Sequence, residues 1–380
     1  TKVQIPTYII VHHYIEGTTQ KVPSKVYGEV VEDETKEGFV GQDYTTSASS
    51  NVQENYKVVS NTGNTTGIMT RTPIEVIYYY RLQPGDITEN TITKEGTDKI
   101  INKDDKVSYT ISYTGRVENY VGNAKVEIVD YLPYAIDEAI SELNGGLYNP
   151  ANNTITWVED LGRVNTYTDE AKDISITKNI EVVFTQMNCT SESFTNRAKG
   201  KIILEETKQE QETPEASKET ETEFVKDITV EKVWDDNEDI KGRRPDSVTV
   251  QLTADGKVVE NIEDVISKDE TNNTENTTDE QEYKVVLNTE NNWTHTFQDL
   301  PKYTKDGQEI SYSVVETETN TNDLEYYEKP DIQVFNTDTA ATVRVTNSYK
   351  LMDTNLDAKI EKTGTDLVTS STQKVNYNIK

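Results

Sequence analysis

Ile228-Thr229-Val230-Glu231-Lys232-Val233-Trp234-Asp235-Asp236 alternates β-branched or apolar residues with polar ones and ends in an acidic pair. Period-2 alternation this rich in valine, isoleucine and threonine predicts a β-strand. Two further stretches read the same way: Ile310-Ser311-Tyr312-Ser313-Val314-Val315, followed by Glu316, and Ala341-Thr342-Val343-Arg344-Val345-Thr346, followed by Asn347. If the first and last of these strands are neighbours in one sheet, the Lys232 amine can reach the Asn347 carboxamide. Only a neutral amine attacks an amide, and burial among apolar side chains removes the proton by making the charged form costly. A carboxylic acid held protonated in the same pocket, Glu316, would hydrogen-bond the amide carbonyl and stabilise the developing oxyanion. The product is a Lys232–Asn347 amide plus ammonia. Nothing turns over, so the chain is read as no enzyme, and the chemistry calls on no cofactor and no metal.

The motifs around these residues occur in a fixed order. After Val-Glu-Lys-Val-Trp-Asp-Asp come Lys241-Gly242-Arg243-Arg244-Pro245-Asp246-Ser247-Val248, then Asn292-Trp293-Thr294-His295-Thr296-Phe297-Gln298-Asp299-Leu300-Pro301, then Val345-Thr346-Asn347-Ser348-Tyr349. This set resembles the B-type (CnaB-like) domains of Gram-positive collagen adhesins and pilins. The resemblance implies a β-sandwich over 227–350 in which Lys232 and Asn347 are the bonded pair and Glu316 the catalyst. An acidic insertion, roughly Glu263 to Glu282, departs from the family pattern and is expected to lengthen a loop.

Upstream, residues 83–204 contain alternating strands at Lys106–Tyr113, Ala124–Asp130, Asn153–Trp157 and Ile180–Phe184. Ile92-Thr93-Lys94, Val129-Asp130-Tyr131-Leu132-Pro133-Tyr134-Ala135-Ile136-Asp137, Gly145-Gly146-Leu147-Tyr148 and Phe194-Thr195-Asn196 resemble the A-type adhesin and pilin sandwiches, an immunoglobulin-like group. That resemblance implies a second bond, Lys94 to Asn196, catalysed by Asp130; Lys99, Lys103 and Lys106 crowd the same region. Ile92-Thr93-Lys94-Glu95-Gly96-Thr97-Asp98 recurs as Ile360-Glu361-Lys362-Thr363-Gly364-Thr365-Asp366, and Lys106–Ile111 recurs as Lys374–Ile379. Residues 351–380 are therefore expected to begin another A-type unit, left incomplete or completed by another molecule.

Residues 1–82 open on Tyr8-Ile9-Ile10-Val11-His12-His13-Tyr14 and close on Ile74-Glu75-Val76-Ile77-Tyr78-Tyr79-Tyr80. With Gly38-Phe39-Val40-Gly41-Gln42-Asp43-Tyr44-Thr45 and Asn55-Tyr56-Lys57-Val58-Val59 between them, they resemble the mucin-binding-protein (MucBP) repeat, which implies contact with mucin or another glycan. His12 and His13 are strand neighbours pointing to opposite faces, so no metal site is read there. The run 205–226, Glu-rich and without apolar period, is expected to be an extended linker.

The expected fold class is all-β, with tandem immunoglobulin-like sandwiches and a small α+β, β-grasp-like alternative for the first domain. Composition agrees: 380 residues are too many for one sandwich, only 33% are hydrophobic, and tyrosine (22) outnumbers phenylalanine (6) and tryptophan (3). A net charge of −30 argues against nucleic acid and anionic membrane as partners. Cys189 is the single cysteine, so no intrachain disulfide can staple the chain. No apolar run reaches membrane-span length, the sequence opens at Thr1 without a charged and apolar leader stretch, and no Leu-Pro-x-Thr-Gly appears, Leu300-Pro301-Lys302-Tyr303-Thr304 lacking the glycine. The reading is an internal piece of an extracellular, wall-associated bacterial surface protein, anchored to peptidoglycan by a segment outside this chain. Its expected work is that of an adhesin or fimbrial stalk holding a binding region away from the wall. The alternatives are a self-assembling, strand-exchanging pilus or fibre subunit, and a glycan- or mucin-binding module in residues 1–82; a host matrix protein is the other partner class.

Overall fold

A computed structural model describes residues 3–167, 170–190, 192–267, 283–317, 324–350, 362–364, 374 and 377–379. The chain is nearly all β; among the described residues the helical elements are Ile262–Ser267 and a single turn at Leu324–Tyr326. Two compact units divide at Lys226 and Asp227, with Pro301–Ile310 belonging to the first.

In the first domain the sheet order is Glu34–Phe39, Pro6–Ile15, Ile74–Leu82, Tyr56–Thr62. The two central strands run parallel, from Ile9 opposite Ile74 to Ile15 opposite Tyr80. Alternation decides which residues form the core: Ile9, Val11, Val76, Tyr78 and Tyr80 are buried, whereas Tyr79 points the other way and stays partly exposed. No helix lies among the described residues of 3–82, so this domain is built from strands and does not take the α+β form. His13 is sealed in the core against the Tyr80 hydroxyl at 3.0 Å, while His12 faces outward between Asp33 and Glu75, each at 3.0 Å.

The second domain is a sandwich. One sheet runs Leu147–Asn149, Thr154–Asn165, Val121–Tyr131, Ser193–Leu204, Ala216–Thr222, Lys99–Ile100, with Gln209–Glu212 also pairing Ser193–Leu204. The other runs Lys172–Val182, Val107–Glu118, Asp86–Gly96. Between them lies a core that includes Ile111, Tyr113, Val126, Ile128, Trp157, Phe194 and Ile202.

The expected linker over 205–226 is corrected here, because Gln209–Glu212 and Ala216–Thr222 are strands of this sandwich. Ala216–Thr222 pairs antiparallel with the Asn196 strand and parallel with Lys99–Ile100. The physical reason is an alternation written in polar letters. Ala216, Lys218, Thr220 and Thr222 turn inward, with Thr220 fully buried, while Ser217, Glu219 and Glu221 turn to solvent. The Thr220 hydroxyl donates to the Thr97 carbonyl at 2.9 Å. An acidic run thus hides one face that carries no carboxylate.

In the second unit one sheet runs Thr294–Pro301, Val225–Asp235, Ala340–Ser348, Asp331–Asn336. Ser247–Ala254 is flanked by Lys284–Asn288 and Tyr312–Thr317 in the other. Ile228, Val230, Val248, Val250, Leu252, Val343 and Val345 are buried. Of the acidic insertion, 263–267 belong to the short helix and 268–282 lie outside the described residues. Most of 351–380 lies outside them too; what is described is a pair of short antiparallel strands, Lys362 opposite Ile379, Thr363 opposite Asn378 and Gly364 opposite Tyr377. Lys94 opposite Ile111, Glu95 opposite Thr110 and Gly96 opposite Tyr109 show the same register, so the sequence repeat is also a repeat of pairing.

Candidate crosslinking sites

In the second domain, strand phase delivers three polar side chains to the sandwich interior. Lys94 is in step with Asn90 and Ile92, Asp130 with Val126 and Ile128, and Asn196 with Phe194 and Ala198, all of them buried. The Lys94 and Asp130 side chains have no exposed surface, and Lys94 Nζ sits 2.6 Å from Asp130 Oδ1. Asn196 Nδ2 donates to Asp130 Oδ2 at 3.2 Å, leaving the buried Asn196 Oδ1 without a hydrogen-bond partner. The amine also lies over the Tyr109 ring, 4.4 Å from its centre.

Burial pushes the Lys94 amine below its ordinary value against the pull of Asp130, and pushes the Asp130 carboxyl up against the pull of Lys94. Both shifts favour the neutral pair, the form in which an amine is nucleophilic and a carboxylic acid can donate. The crowding by other lysines is resolved by exposure. Lys99, Lys103 and Lys106 carry partly exposed side chains bridged to Glu223, Asp104 and Glu181.

In the second unit the parallel register sets Lys232 opposite Val345 and Trp234 opposite Asn347. Lys232 and Asn347 are therefore diagonal neighbours on one buried face, 6% and 1% exposed. Glu316 arrives from the other sheet, on the strand paired with Ser247–Ala254. Asn347 Nδ2 donates to Glu316 Oε1 at 3.0 Å, and the second oxygens of both groups, Asn347 Oδ1 and Glu316 Oε2, are buried without hydrogen-bond partners.

The Lys232 amine donates to the Val233 carbonyl at 2.9 Å and rests 3.6 Å from the centre of the Trp234 ring. An ammonium offers three donors, and this pocket supplies one acceptor and an aromatic face. Burial pulls the Lys232 amine down to about 8, with Arg244 acting in the same direction and Glu316 and Asp236 against it.

The structure thus brings together each of the two trios. Sequence reasoning missed the groups around them. Tyr109 beneath Lys94 and Trp234 beneath Lys232 gave no separate signal. Of a third cluster, Asp236, Arg244 and Tyr327, the first two were visible only as motif residues in Trp234-Asp235-Asp236 and Arg243-Arg244-Pro245, and Tyr327 gave no signal.

With this geometry in hand, comparison with known proteins is informative. The Cna protein B-type domain family matches residues 228–348 and the MucBP domain family matches residues 13–81. A collagen adhesin of Staphylococcus aureus is 35% identical over 89 residues, which is 23% of this chain; the chain thus spans 6% of that relative's length. Solved structures of surface proteins and pilins align at low identity, among them these two. A single B repeat unit of the collagen-binding surface protein of Staphylococcus aureus is 18% identical, with 68% of this chain and 99% of that one covered and a TM-score of 0.24. The major pilin subunit of Bacillus cereus is 14% identical, with 91% and 100% covered and a TM-score of 0.31.

Proposed function

We propose, from a chain that carries a MucBP region and a Cna protein B-type region, that it is a stalk segment of a bacterial cell-surface adhesin or pilus. In this reading two intramolecular Lys–Asn amide bonds stiffen it and it holds a binding region away from the cell wall. The observation that supports the reading best is the buried company each lysine keeps. Lys94 and Lys232 are each enclosed with one carboxyl group and one carboxamide, and in each case the carboxamide nitrogen hydrogen-bonds the acid.

The reaction at Lys232 begins with the neutral amine adding to Asn347 Cγ. Half a turn of the carboxamide places Oδ1 against Glu316, and the reaction requires that carboxyl in its acid form, to donate to the oxygen as negative charge develops. The new Nζ–Cγ bond forms, the Cγ–Nδ2 bond breaks, and Nδ2 departs as ammonia with the proton the amine gives up, relayed through Glu316. At Lys94 the partners are Asp130 and Asn196. Such a bond lets tension pass between strands without unzipping the sheet, and it restricts the unfolded chain. By analogy with disulfide loop closure, a loop of this length stabilises by about 4–5 kcal/mol.

Intact mass of the full chain tests this directly, because it counts ammonia losses. Two losses are expected, with tryptic branched peptides joining the Lys94 and Asn196 strands and the Lys232 and Asn347 strands. Full recovery of the linear peptides would sink the proposal.

A second reading concerns the MucBP region. An open groove is lined by Glu16, Thr18, Gln20, Ser60 and Tyr79, and a half-exposed aromatic ring among hydroxyl, amide and carboxylate groups suits a sugar face and its hydroxyls. Binding of the full chain to a glycan array, lost on Tyr79→Ala, would support it. Unchanged binding by that variant would rule this groove out.

A further inference from the structure

Beyond the Lys232 strand lies a second set of buried polar groups that the crosslinking trio does not use. Asp236 is 1% exposed. Its carboxylate receives Arg244 Nε at 2.9 Å and Nη2 at 2.6 Å, the Tyr327 hydroxyl at 3.0 Å and the Asp239 amide at 3.0 Å. Four donors saturate a carboxylate, and the Arg244 hydrogen bonds hold Asp236 below the usual carboxylate range. A bidentate clamp of this kind fixes the guanidinium in orientation as well as in place.

The clamp gains meaning from what Arg244 lies beside. Its guanidinium carbon is 5.6 Å from the centre of the Trp234 ring, the same ring whose centre is 3.6 Å from Lys232 Nζ. Trp293 and Tyr327 wedge that indole edge-on, at 5.3 and 5.1 Å between ring centres. The amine therefore rests on an aromatic platform that touches a second, permanently charged cation.

We propose that Arg244, clamped by Asp236, is a positioning residue for the Lys232–Asn347 crosslink: it fixes a positive charge beside the amine and steadies the indole beneath it, so that Lys232 enters the reaction neutral. This rests on the reading that the bond forms. The charged groups facing Lys232 are Glu316 from the strand Tyr312–Thr317, Asp236 just past the end of its own strand, and Arg244 from the following loop. Glu316 and Asp236 favour the ammonium and Arg244 opposes them. Without Arg244, burial alone would have to overcome both carboxylates.

The test separates charge from scaffolding. In the full chain carrying Asn347→Ala, Lys232 stays a free amine, and its titration can be followed by pH-dependent acylation read by mass spectrometry. Adding Arg244→Gln, which keeps a hydrogen-bond donor and removes the charge, should raise the midpoint by about one pH unit, roughly tenfold less neutral amine at neutral pH. Adding Arg244→Lys, which keeps the charge and gives up the fork, should restore most of the shift. With Asn347 intact, Arg244→Gln should form the 232–347 bond more slowly at neutral pH and recover at higher pH.

An unmoved midpoint in Arg244→Gln, or equal shifts in the Gln and Lys variants, overturns the proposal. Equal shifts would mean that only the packing had changed. A wild-type chain with no branched 232–347 peptide would instead refute the underlying reading, and the titration arm still distinguishes the two failures.

Discussion

The two trios reach one composition by opposite routes. In the second domain the acid and the asparagine share a sheet, Asp130 opposite Ala198 two residues from Asn196, and the lysine comes from the facing sheet. In the second unit the lysine and the asparagine share a sheet as parallel neighbours, and the acid comes from the facing one. What the chemistry needs is three core-facing positions converging on one point, and the topology leaves open which pair is local to a sheet. The electrostatics differ accordingly. Lys94 lies directly against its acid at 2.6 Å, whereas Lys232 leans on an indole and a carbonyl while its acid binds the asparagine.

That difference ranks the variants. Asp130→Ala should be the most damaging, since it removes the catalyst and strands a fully buried amine. A buried amine left without its hydrogen-bond partner costs about 1–3 kcal/mol, in addition to about 4–5 kcal/mol for the missing crosslink. Calorimetry should show a large drop in Tm, and the intact mass one ammonia loss fewer; a stable, fully bonded variant would show that Asp130 does neither job. Glu316→Ala should lose the crosslink contribution alone, about 4–5 kcal/mol, because Lys232 keeps its carbonyl and its ring. If Glu316→Ala proved as destabilising as Asp130→Ala, the contrast between the two sites would fail.

The third variant probes pH. In Asn347→Ala the Lys232 amine is free, with a folded value of about 8 against an ordinary 10.5. Between those values the unfolded chain holds a proton that the folded chain lacks, so protonation favours unfolding. The contribution of the free amine is therefore whole above pH 10.5 and is lost as pH falls to about 8. The Tm gap between this variant and the bonded wild type should narrow as pH rises through that window; parallel curves would mean that Lys232 does not titrate there. The smallest effect is expected at the hidden strand. Thr220→Val removes one buried hydrogen bond and leaves the Thr97 carbonyl unpaired, costing about 1–3 kcal/mol. Hydrogen exchange across Ala216–Thr222 should accelerate, and an unaltered rate would show that the strand is held by its backbone ladder alone.

The strands were legible because strand phase is a local property, whereas the six site residues were named by resemblance to the A-type and B-type families; the structure's phase agrees with the naming. Lys94 in step with Ile92, Asp130 with Ile128, Asn196 with Phe194, Lys232 with Val230, Glu316 with Val314 and Asn347 with Val345 each place a polar residue where an apolar one belongs. The linker reading failed for the converse reason. Charge dominated the composition of 205–226, although Ala216, Lys218 and Thr220 already alternated with Ser217, Glu219 and Glu221. A polar alternation predicts a strand only if a sheet edge is waiting for it, and the edge here is the Asn196 strand, a partner chosen by the fold.

The sequence by itself determined the all-β character and the repeat of Lys94–Gly96 as Lys362–Gly364, because period follows from neighbours along the chain, and its motifs named the six site residues by resemblance to the A-type and B-type families. Tertiary structure alone decided that Arg244 stands by the Trp234 ring on which Lys232 rests, and that an acidic run closes a sandwich. Those outcomes depend on contacts that strand period does not encode, and on a dielectric environment that exists only once the core has closed around them.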